Sequence, residues 1–261
     1  MSTKIAPSKS TLARRKWVPR FFLAWAIFST LWLSNSFRTQ GLPNGVLEPG
    51  PTVAVSDQND YLSFTPLKSL GNTALVFFCG SGVGAHAYAP MLRPIAEVGV
   101  PVFIIKLPLR FAPFDSHKLG AIERALKIQR DHPTLTKWVV SGHSLGAALA
   151  CRVVQSNPNS FRSMVLLGTT HPKEDDLSKV TITITKVFGT ADGVAPMKKV
   201  LANKLLLPPT TTWVRIEGGN HSQFGYYGHQ LMDGTATVTR EEQQRLSRAA
   251  LLAALSELNK P

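Results

Sequence analysis

The segment WVVSGHSLGAALAC at residues 138–151 holds three features in a row: a short apolar run, the pentapeptide Gly142-His143-Ser144-Leu145-Gly146, and small residues that favour a helix. A Gly-x-Ser-x-Gly pattern between a strand and a helix is typical of a tight turn that holds its serine on strained backbone with the hydroxyl exposed. The glycines are needed because a Cβ at either position would crowd the turn. The pentapeptide alone can arise by chance, but its flanks favour function. We therefore predict that Ser144 is a nucleophile, which requires a base, an acid and an oxyanion hole elsewhere in the chain.

Length and composition favour one α/β domain with a short extension, since the chain has 261 residues of ordinary apolar content. The two cysteines, Cys79 and Cys151, are too few for a disulfide framework and are predicted to be buried small side chains. The net charge is +13, and six of the basic residues lie within the first twenty positions without any acid. No Lys/Arg stripe interleaved with aromatic residues accompanies this charge, so we expect no nucleic-acid partner. A surface that faces anionic lipid fits the charge better.

The N-terminal region predicts a membrane segment. Residues 1–20 are interpreted as a basic, disordered cytoplasmic tail, and residues 21–37 as a transmembrane signal anchor or a signal peptide, because Phe21 to Leu33 is a run of thirteen uncharged residues. An anchor would place the catalytic domain on the extracytoplasmic side by the positive-inside rule. Cleavage near Ser34-x-Ser36 would release it as a secreted protein. A buried or interfacial helix is the third interpretation, and a fourth holds the domain at an anionic membrane on the cytosolic side.

The rest of the chain predicts a linker and one folded domain. Residues 38–51 are rich in glycine and proline and are predicted to form a linker, and residues 52–261 form the domain. Apolar strand patterns alternate with helical patterns from there on, which predicts a mostly parallel sheet with helices on both faces. Only thirteen residues separate Leu167 from Thr181, too few for a large cap domain. The predicted strands are 52–55, 61–64, 74–78, 102–105, 138–140, 164–167, 181–188 and 212–217, with helices over 85–97, from 115 or 116, after the serine turn and from 239 to about 258.

The acid and the base are expected in loops that directly follow strands, because sites in open α/β sheets lie at the carboxyl ends of the strands. Asp192 in Gly-Thr-Ala-Asp-Gly follows the predicted strand that ends at Phe188. His221 in Gly-Gly-Asn-His follows the one that ends at Glu217. The order Ser144, Asp192, His221 is the one expected for this kind of sheet.

Other residues compete for these roles. Asp192 could simply form an Asp-Gly turn, and Asp175 and Asp176 are rival acids in a polar loop. His229 is the nearest rival base, separated from the strand end by Gly-Tyr-Tyr-Gly. His143, beside the nucleophile, is interpreted as structural and as facing away from Ser144.

The oxyanion hole is predicted from two backbone amides. One is that of Leu145, which follows the nucleophile, and the other belongs to Ser81 or Gly82 in the loop Gly80-Ser81-Gly82-Val83 after a buried strand. A phosphate-binding loop is the competing interpretation, but the segment lacks both the Gly-x-Gly-x-x-Gly spacing and a Walker lysine. We expect neither a metal nor an organic cofactor.

The assembled motifs resemble the α/β-hydrolase superfamily over about residues 52–261, and more narrowly a group of small bacterial members related to the dienelactone-hydrolase-like branch. The resemblance rests on FFCGSGVGAHAYAP, KLPLRFA, GHSLGA, GTADGV, GGNHSQFGYYG and the tail Asp233-Gly234-Thr235-Ala236. It implies the α/β-hydrolase fold and the triad roles of Ser144, Asp192 and His221. Cys79 and Ser81 depart from the proline and glycine usual in the group's oxyanion loop.

The sequence thus predicts a serine hydrolase of the carboxylesterase/lipase type. It would cleave a small-molecule carboxylic ester, or a thioester or amide, through an acyl-enzyme. The alternative is a non-catalytic domain of the same fold that binds a ligand or partner at the cell surface, since fold alone does not fix function. No oligomeric state follows from the sequence.

Overall fold

The computed structural model describes residues 9–69 and 71–258, with side chains from residue 17 onward, and its centre is an eight-stranded sheet. Residues 1–8, the start of the predicted tail, and residues 259–261, the end of the predicted domain, lie outside the described part. The strands are β1 (Val53–Asp57), β2 (Tyr61–Pro66), β3 (Thr73–Phe78), β4 (Val102–Ile105), β5 (Lys137–His143), β6 (Ser163–Leu167), β7 (Thr183–Gly189) and β8 (Thr212–Ile216).

The sheet has the order β1-β2-β4-β3-β5-β6-β7-β8. β1 and β2 pair antiparallel at one edge, and every pair from β4 to β8 is parallel. The central strands β3, β4 and β6 are buried at every position, as expected for parallel strands covered on both faces. The prediction of a mostly parallel sheet is confirmed.

Helices cover both faces of the sheet. α2 packs with α6, and α3 packs with α4. Cys79 and Cys151 are free and buried, as predicted. The helices are α1 (Lys9–Phe37), α2 (Ala89–Glu97), α3 (Asp115–Asp131), α4 (Leu145–Ser156), α5 (Met197–Ala202) and α6 (Arg240–Glu257).

Element boundaries follow local chemistry. The single helix predicted over 85–97 is a 3₁₀ turn, Ala85–Tyr88, followed by α2, because a proline in the first turn of α2 lacks the N–H that would continue an α-helix backwards. α6 begins at Arg240, next to the predicted start at residue 239, and the Thr239 hydroxyl caps it by accepting from the Glu242 amide at 3.2 Å. The segment between β6 and β7 contains neither helix nor strand, so no cap domain lies there.

The N-terminal prediction needs correction. Residues 9–20, expected in a disordered tail, are part of α1. Among the helices of the described ranges, none has the length and apolarity that a bilayer crossing requires, and the transmembrane segment predicted over 21–37 is therefore unsupported. The physical reason is the short apolar run: Phe21 to Leu33 is thirteen residues, about 20 Å of helix against roughly 30 Å of hydrocarbon, and the residues that follow it, Ser34-Asn35-Ser36, are polar.

The segment predicted as a linker, residues 38–51, lies on the domain. The Arg93 guanidinium in α2 donates to the carbonyls of Gly45, Val46 and Glu48 at 2.9, 2.9 and 2.6 Å. Thr39 forms a β-bridge with Tyr227. The end of α1 is therefore held near the carboxyl ends of the strands, where the candidate site lies.

Candidate active site

Ser144 occupies the sharp turn predicted between β5 and α4. Its φ of +55° and ψ of −116° place a non-glycine residue in a costly region of backbone space. A Cβ at Gly142 would stand 2.3 Å from the Gly146 carbonyl carbon, and one at Gly146 would stand 2.1 Å from the Phe78 carbonyl oxygen. The sequence pattern is therefore a packing requirement, because the start of α4 lies directly on β3 and β5.

The predicted acid and base are in contact. Nδ1 of His221 lies 2.9 Å from Oδ2 of Asp192, and both side chains are buried. The other carboxylate oxygen, Oδ1, accepts from the amides of Val194 at 2.9 Å and Ala195 at 2.6 Å. These bonds fix the carboxylate, so His221 donates through Nδ1 and presents Nε2 as the acceptor.

The loops that carry these two residues are packed against each other at the ends of β7 and β8. The Ala191 amide donates to the Gly219 carbonyl at 2.8 Å. Gln243 of α6, fully buried, exchanges two hydrogen bonds with the backbone of Asn220, at 3.0 and 2.6 Å. Asp233 accepts from the His221 amide at 3.0 Å. Sequence patterns assign no role to Gln243 and include Asp233 only as part of a motif, because both residues act across chain separations that local patterns do not reveal.

Ser144 does not hydrogen-bond to the base in this structure. Nε2 of His221 is buried without a hydrogen-bond partner among the described residues. The neighbour of the serine, His143, nevertheless packs against His221 with ring centroids 4.4 Å apart and ring planes inclined by 46°, so the turn and the predicted base are adjacent. Catalytic hydrogen bonds are often long before substrate binds.

His143 is buried and contacts His221. Its interpretation as a structural residue stays a prediction. The Gly80 amide donates to the Tyr88 hydroxyl at 2.9 Å, and that hydroxyl lies 3.0 Å from Nδ1 of His143. Because the Tyr88 hydroxyl oxygen accepts from Gly80, its proton can be donated to Nδ1 of His143. Burial, with a smaller contribution from His221, holds the pKa of His143 well below its usual range and keeps the ring neutral. His143 therefore lies between the glycine-rich loop after β3, which it reaches through Tyr88, and His221.

The glycine-rich loop after β3 is a β-turn. The Val83 amide donates to the Gly80 carbonyl at 3.1 Å, and Gly82 has a φ of +76°. A left-handed residue at the third turn position is the signature of a type II turn, which selects glycine there.

The backbone amides of this turn differ in whether they have a hydrogen-bond acceptor. That of Gly82 donates to the Arg110 carbonyl at 2.9 Å. That of Ser81 has no hydrogen-bond partner among the described residues, and neither does that of Leu145 at the start of α4. Of the two donors that the sequence offered in the loop, Ser81 is the one whose N–H is free.

A cavity of about 470 Å³ begins at Leu145 and continues along α4. Its wall is polar, with the Arg152 guanidinium bound to both carboxylate oxygens of Asp115 at 2.5 and 3.0 Å. Burial lowers the pKa of His171 to about 4 and raises the pKa of Asp175. The lining residues are Asp115, Lys118, Leu145, Ala148, Leu149, Arg152, His171, Glu174 and Asp175.

The rival residues take other positions. Asp176 is exposed and accepts from the Ser178 amide, and His229 is not hydrogen-bonded to any described acid. Five aromatic residues lie in the segments that follow β4 and β8, and of these Phe111 and Phe114 are exposed. The remaining three, Phe224, Tyr226 and Tyr227, are buried. Within the described ranges, no group of three or more His, Cys, Asp or Glu side chains is placed to hold a metal ion.

Comparison with known proteins gives the same fold. A predicted CIB-like hydrolase from Thermoplasma acidophilum has a TM-score of 0.59 at 13% identity, covering 76% of this chain and 98% of that one. MGS-MChE2, an α/β hydrolase enzyme from a lagoon sediment metagenome, has a TM-score of 0.58 at 18% identity, covering 79% and 100%. A membrane phospholipase A described as a bacterial virulence factor has a TM-score of 0.59 at 12% identity, covering 94% and 96%.

No curated protein sequence matches the chain. The model of the α/β hydrolase family matches residues 74–245, about two thirds of the chain, and this range contains the serine turn and the loops of Asp192 and His221. The finer resemblance to the dienelactone-hydrolase-like branch stays a prediction. The chain belongs to the α/β hydrolase family.

Proposed function

We propose that the protein is a serine hydrolase that cleaves a carboxylic ester, or a related thioester or amide, through an acyl-enzyme. The observation that carries the proposal is the buried His221–Asp192 pair at 2.9 Å beside a strained serine turn. A histidine oriented by a carboxylate next to a serine is the arrangement that activates a hydroxyl for attack.

In the proposed reaction, the Ser144 hydroxyl attacks the substrate carbonyl and its proton passes to Nε2 of His221. Asp192 keeps the imidazole in the required tautomer and stabilises the imidazolium. The free amides of Ser81 and Leu145 hold the developing oxyanion. His221 then returns the proton to the leaving group, and a water molecule activated by the same base releases the acid.

The proposal is tested by Ser144→Ala. We expect kcat to fall by a factor on the order of 10⁶, because the nucleophile and base act as a unit. Ser256→Ala, which changes an exposed serine of α6, is the matched control and should retain full activity. Retention of more than about a tenth of the wild-type rate by the Ser144 variant would contradict the assignment.

One observation favours the alternative, a non-catalytic ligand-binding domain of the same fold. Nε2 of His221 lacks the hydrogen bond to Ser144 that an assembled triad contains. In that case the wild-type protein would show no turnover on any ester of a broad panel, and Ser144→Ala would bind the same ligands as the wild type.

We further propose that α1 attaches the chain to a lipid surface. Eleven large apolar side chains between Trp17 and Leu33 are exposed, and no acidic residue precedes Glu48. Exposed aromatic and aliphatic groups beside clustered positive charge favour an anionic bilayer surface. The extracytoplasmic location of the domain stays a prediction.

The test is co-sedimentation of the full chain with vesicles of phosphatidylcholine with and without phosphatidylglycerol. We expect stronger binding to the anionic vesicles and its loss when Phe21, Phe28 and Leu31 are replaced by serine. Leu205→Ser, an apolar residue 82% exposed outside α1, is the control. Equal binding by the triple variant and the wild type would sink this proposal.

A further inference from the structure

We propose that Asp233 is a positioning residue, whose carboxylate sets the distance and angle between His221 and Asp192. The inference rests on the proposed hydrolase function and deepens it. The Asp233 carboxylate accepts from backbone amides and the Ser222 hydroxyl and has no hydrogen bond to Ser144 among the described residues. It acts through the backbone of the two loops that carry the acid and the base.

The carboxylate of Asp233 accepts hydrogen bonds from both of these loops. Its Oδ1 accepts from the amides of His221 at 3.0 Å and Gly234 at 2.9 Å, with a longer bond from the Gly193 amide at 3.3 Å. Its Oδ2 accepts from the amide of Ser222 at 2.8 Å and from the hydroxyl of the same residue at 2.7 Å. One side chain thus binds the residue after the acid, the base itself and the residue after the base.

Close backbone packing holds Asp233 in this place. The sequence contains two Asp-Gly pairs, at 192–193 and 233–234, and each glycine lies against the other segment. A Cβ at Gly193 would stand 2.1 Å from the Met232 carbonyl oxygen, and one at Gly234 would stand 2.0 Å from the Ala191 carbonyl oxygen. Neither segment can move away without losing this contact.

The energetic consequence concerns the base more than the fold. A carboxylate that accepts from backbone amides forms charge-assisted bonds, which are shorter and stronger than neutral ones. Without it, the His221 and Ser222 amides lose their acceptor, and the loop is free to shift. A displacement of about 1 Å at a reacting group lowers a rate by about 10²-fold. The defect should therefore appear in kcat and leave substrate binding intact.

The experiment compares Asp233→Ala, Asp233→Asn and the control Asp131→Asn in the full chain, with kcat, KM and Tm measured for each. Asp131 is an exposed acid at the end of α3 that pairs with Lys127. We expect the alanine variant to lose about 10²-fold in kcat with KM within about threefold of wild type. The asparagine variant keeps one acceptor oxygen, so its kcat should lie between those of the alanine variant and the wild type. The control should match wild type.

Two results would overturn the proposal. One is a folded Asp233→Asn or Asp233→Ala protein that has a lower Tm but a wild-type kcat well below that Tm, as a purely structural residue would give. The other is a change confined to KM. Because Asn preserves the shape of the side chain, it keeps the test valid if the alanine variant fails to fold. Failure of the proposed function is a separate result, since it would appear as absent turnover in the wild type.

Discussion

The two halves of the candidate site differ in how their polar groups are satisfied. On the acid–base half, Asp192 has protein partners for both carboxylate oxygens, and Asp233 and Gln243 tie down the backbone around His221. On the nucleophile half, the amides of Ser81 and Leu145 have no partner among the described residues.

The difference corresponds to two requirements of the proposed reaction: a base that is fixed before substrate binds, and hydrogen-bond donors that are left free for the substrate. A base has to hold one tautomer and one orientation before substrate arrives, so its surroundings are closed by hydrogen bonds. Oxyanion donors need to be rigidly placed but unoccupied, because their partner is the substrate. Here the flanks of the proposed oxyanion turn are anchored, through Gly80 to Tyr88 and through Gly82 to Arg110, while the Ser81 amide between them is free among the described residues.

Asp192→Asn removes the charge from the hydrogen-bonded half of the site, which contains Asp192 and His221, without changing the shape of the side chain. The amide oxygen can still accept from Val194 and Ala195, but the amide nitrogen then faces Nδ1 of His221 and favours the wrong tautomer. We expect kcat to fall by about 10⁴-fold with little change in Tm. Steady-state kinetics and thermal unfolding measure both quantities. A loss below about tenfold would show that another acid orients the base.

Gly146→Ala tests the close packing of α4 on β3, which supports the half of the site that contains Ser144. The new Cβ would stand 2.1 Å from the Phe78 carbonyl oxygen, so α4 or β3 has to shift. We expect the free energy of unfolding to fall by about 3 kcal/mol, measured by urea denaturation.

Gly120→Ala is the matched control for that experiment. It lies within α3, and the nearest atom to its new Cβ, in Pro108, is 3.9 Å away. Alanine is the better helix former, so this variant should be more stable by up to about 1 kcal/mol. Equal behaviour of the two variants would contradict the packing argument.

His143→Asn probes the contact between the halves through pH. Burial lowers the pKa of His143 in the folded protein below the ordinary value of 6.5, so at lower pH the unfolded chain binds a proton that the folded chain does not. This residue therefore reduces the stability of the wild type as pH falls below about 6.5 and has no such effect above it.

The asparagine variant lacks that dependence. The wild type should lose free energy of unfolding relative to His143→Asn by up to about 1.4 kcal/mol per pH unit between pH 6.5 and 5. Denaturant curves at several pH values measure the difference. A difference that is constant with pH would show that the ring is protonated as easily in the folded state as in the unfolded one.

Much of the fold and part of the site could be predicted because their signals are local. The strands are short apolar runs, and the serine turn, the Asp192 loop and the His221 loop each follow one with glycines at the required places. The roles of Asp233 and Gln243 could not be predicted in this way. They depend on how α6 and the segment before it pack onto the His221 loop, and no short pattern encodes that contact.

In the N-terminal region a local pattern predicted more than the structure shows. The apolar run from Phe21 to Leu33 is a strong composition signal, but α1 continues through polar residues at both ends and does not combine the length and apolarity that a bilayer span requires. Residues 38–51 looked like a free linker because they lack periodicity. Arg93 holds them on the domain through backbone carbonyls, which any sequence would offer.

The most direct test of the central claim is labelling of the full chain with a fluorophosphonate probe, followed by mass spectrometry of the adduct. The reagent needs only an activated serine next to an oxyanion hole, and no knowledge of the substrate. We predict modification of Ser144 in the wild type and far slower modification in His221→Ala. A folded wild-type protein that is not labelled, or is labelled at the same rate without His221, would contradict the account.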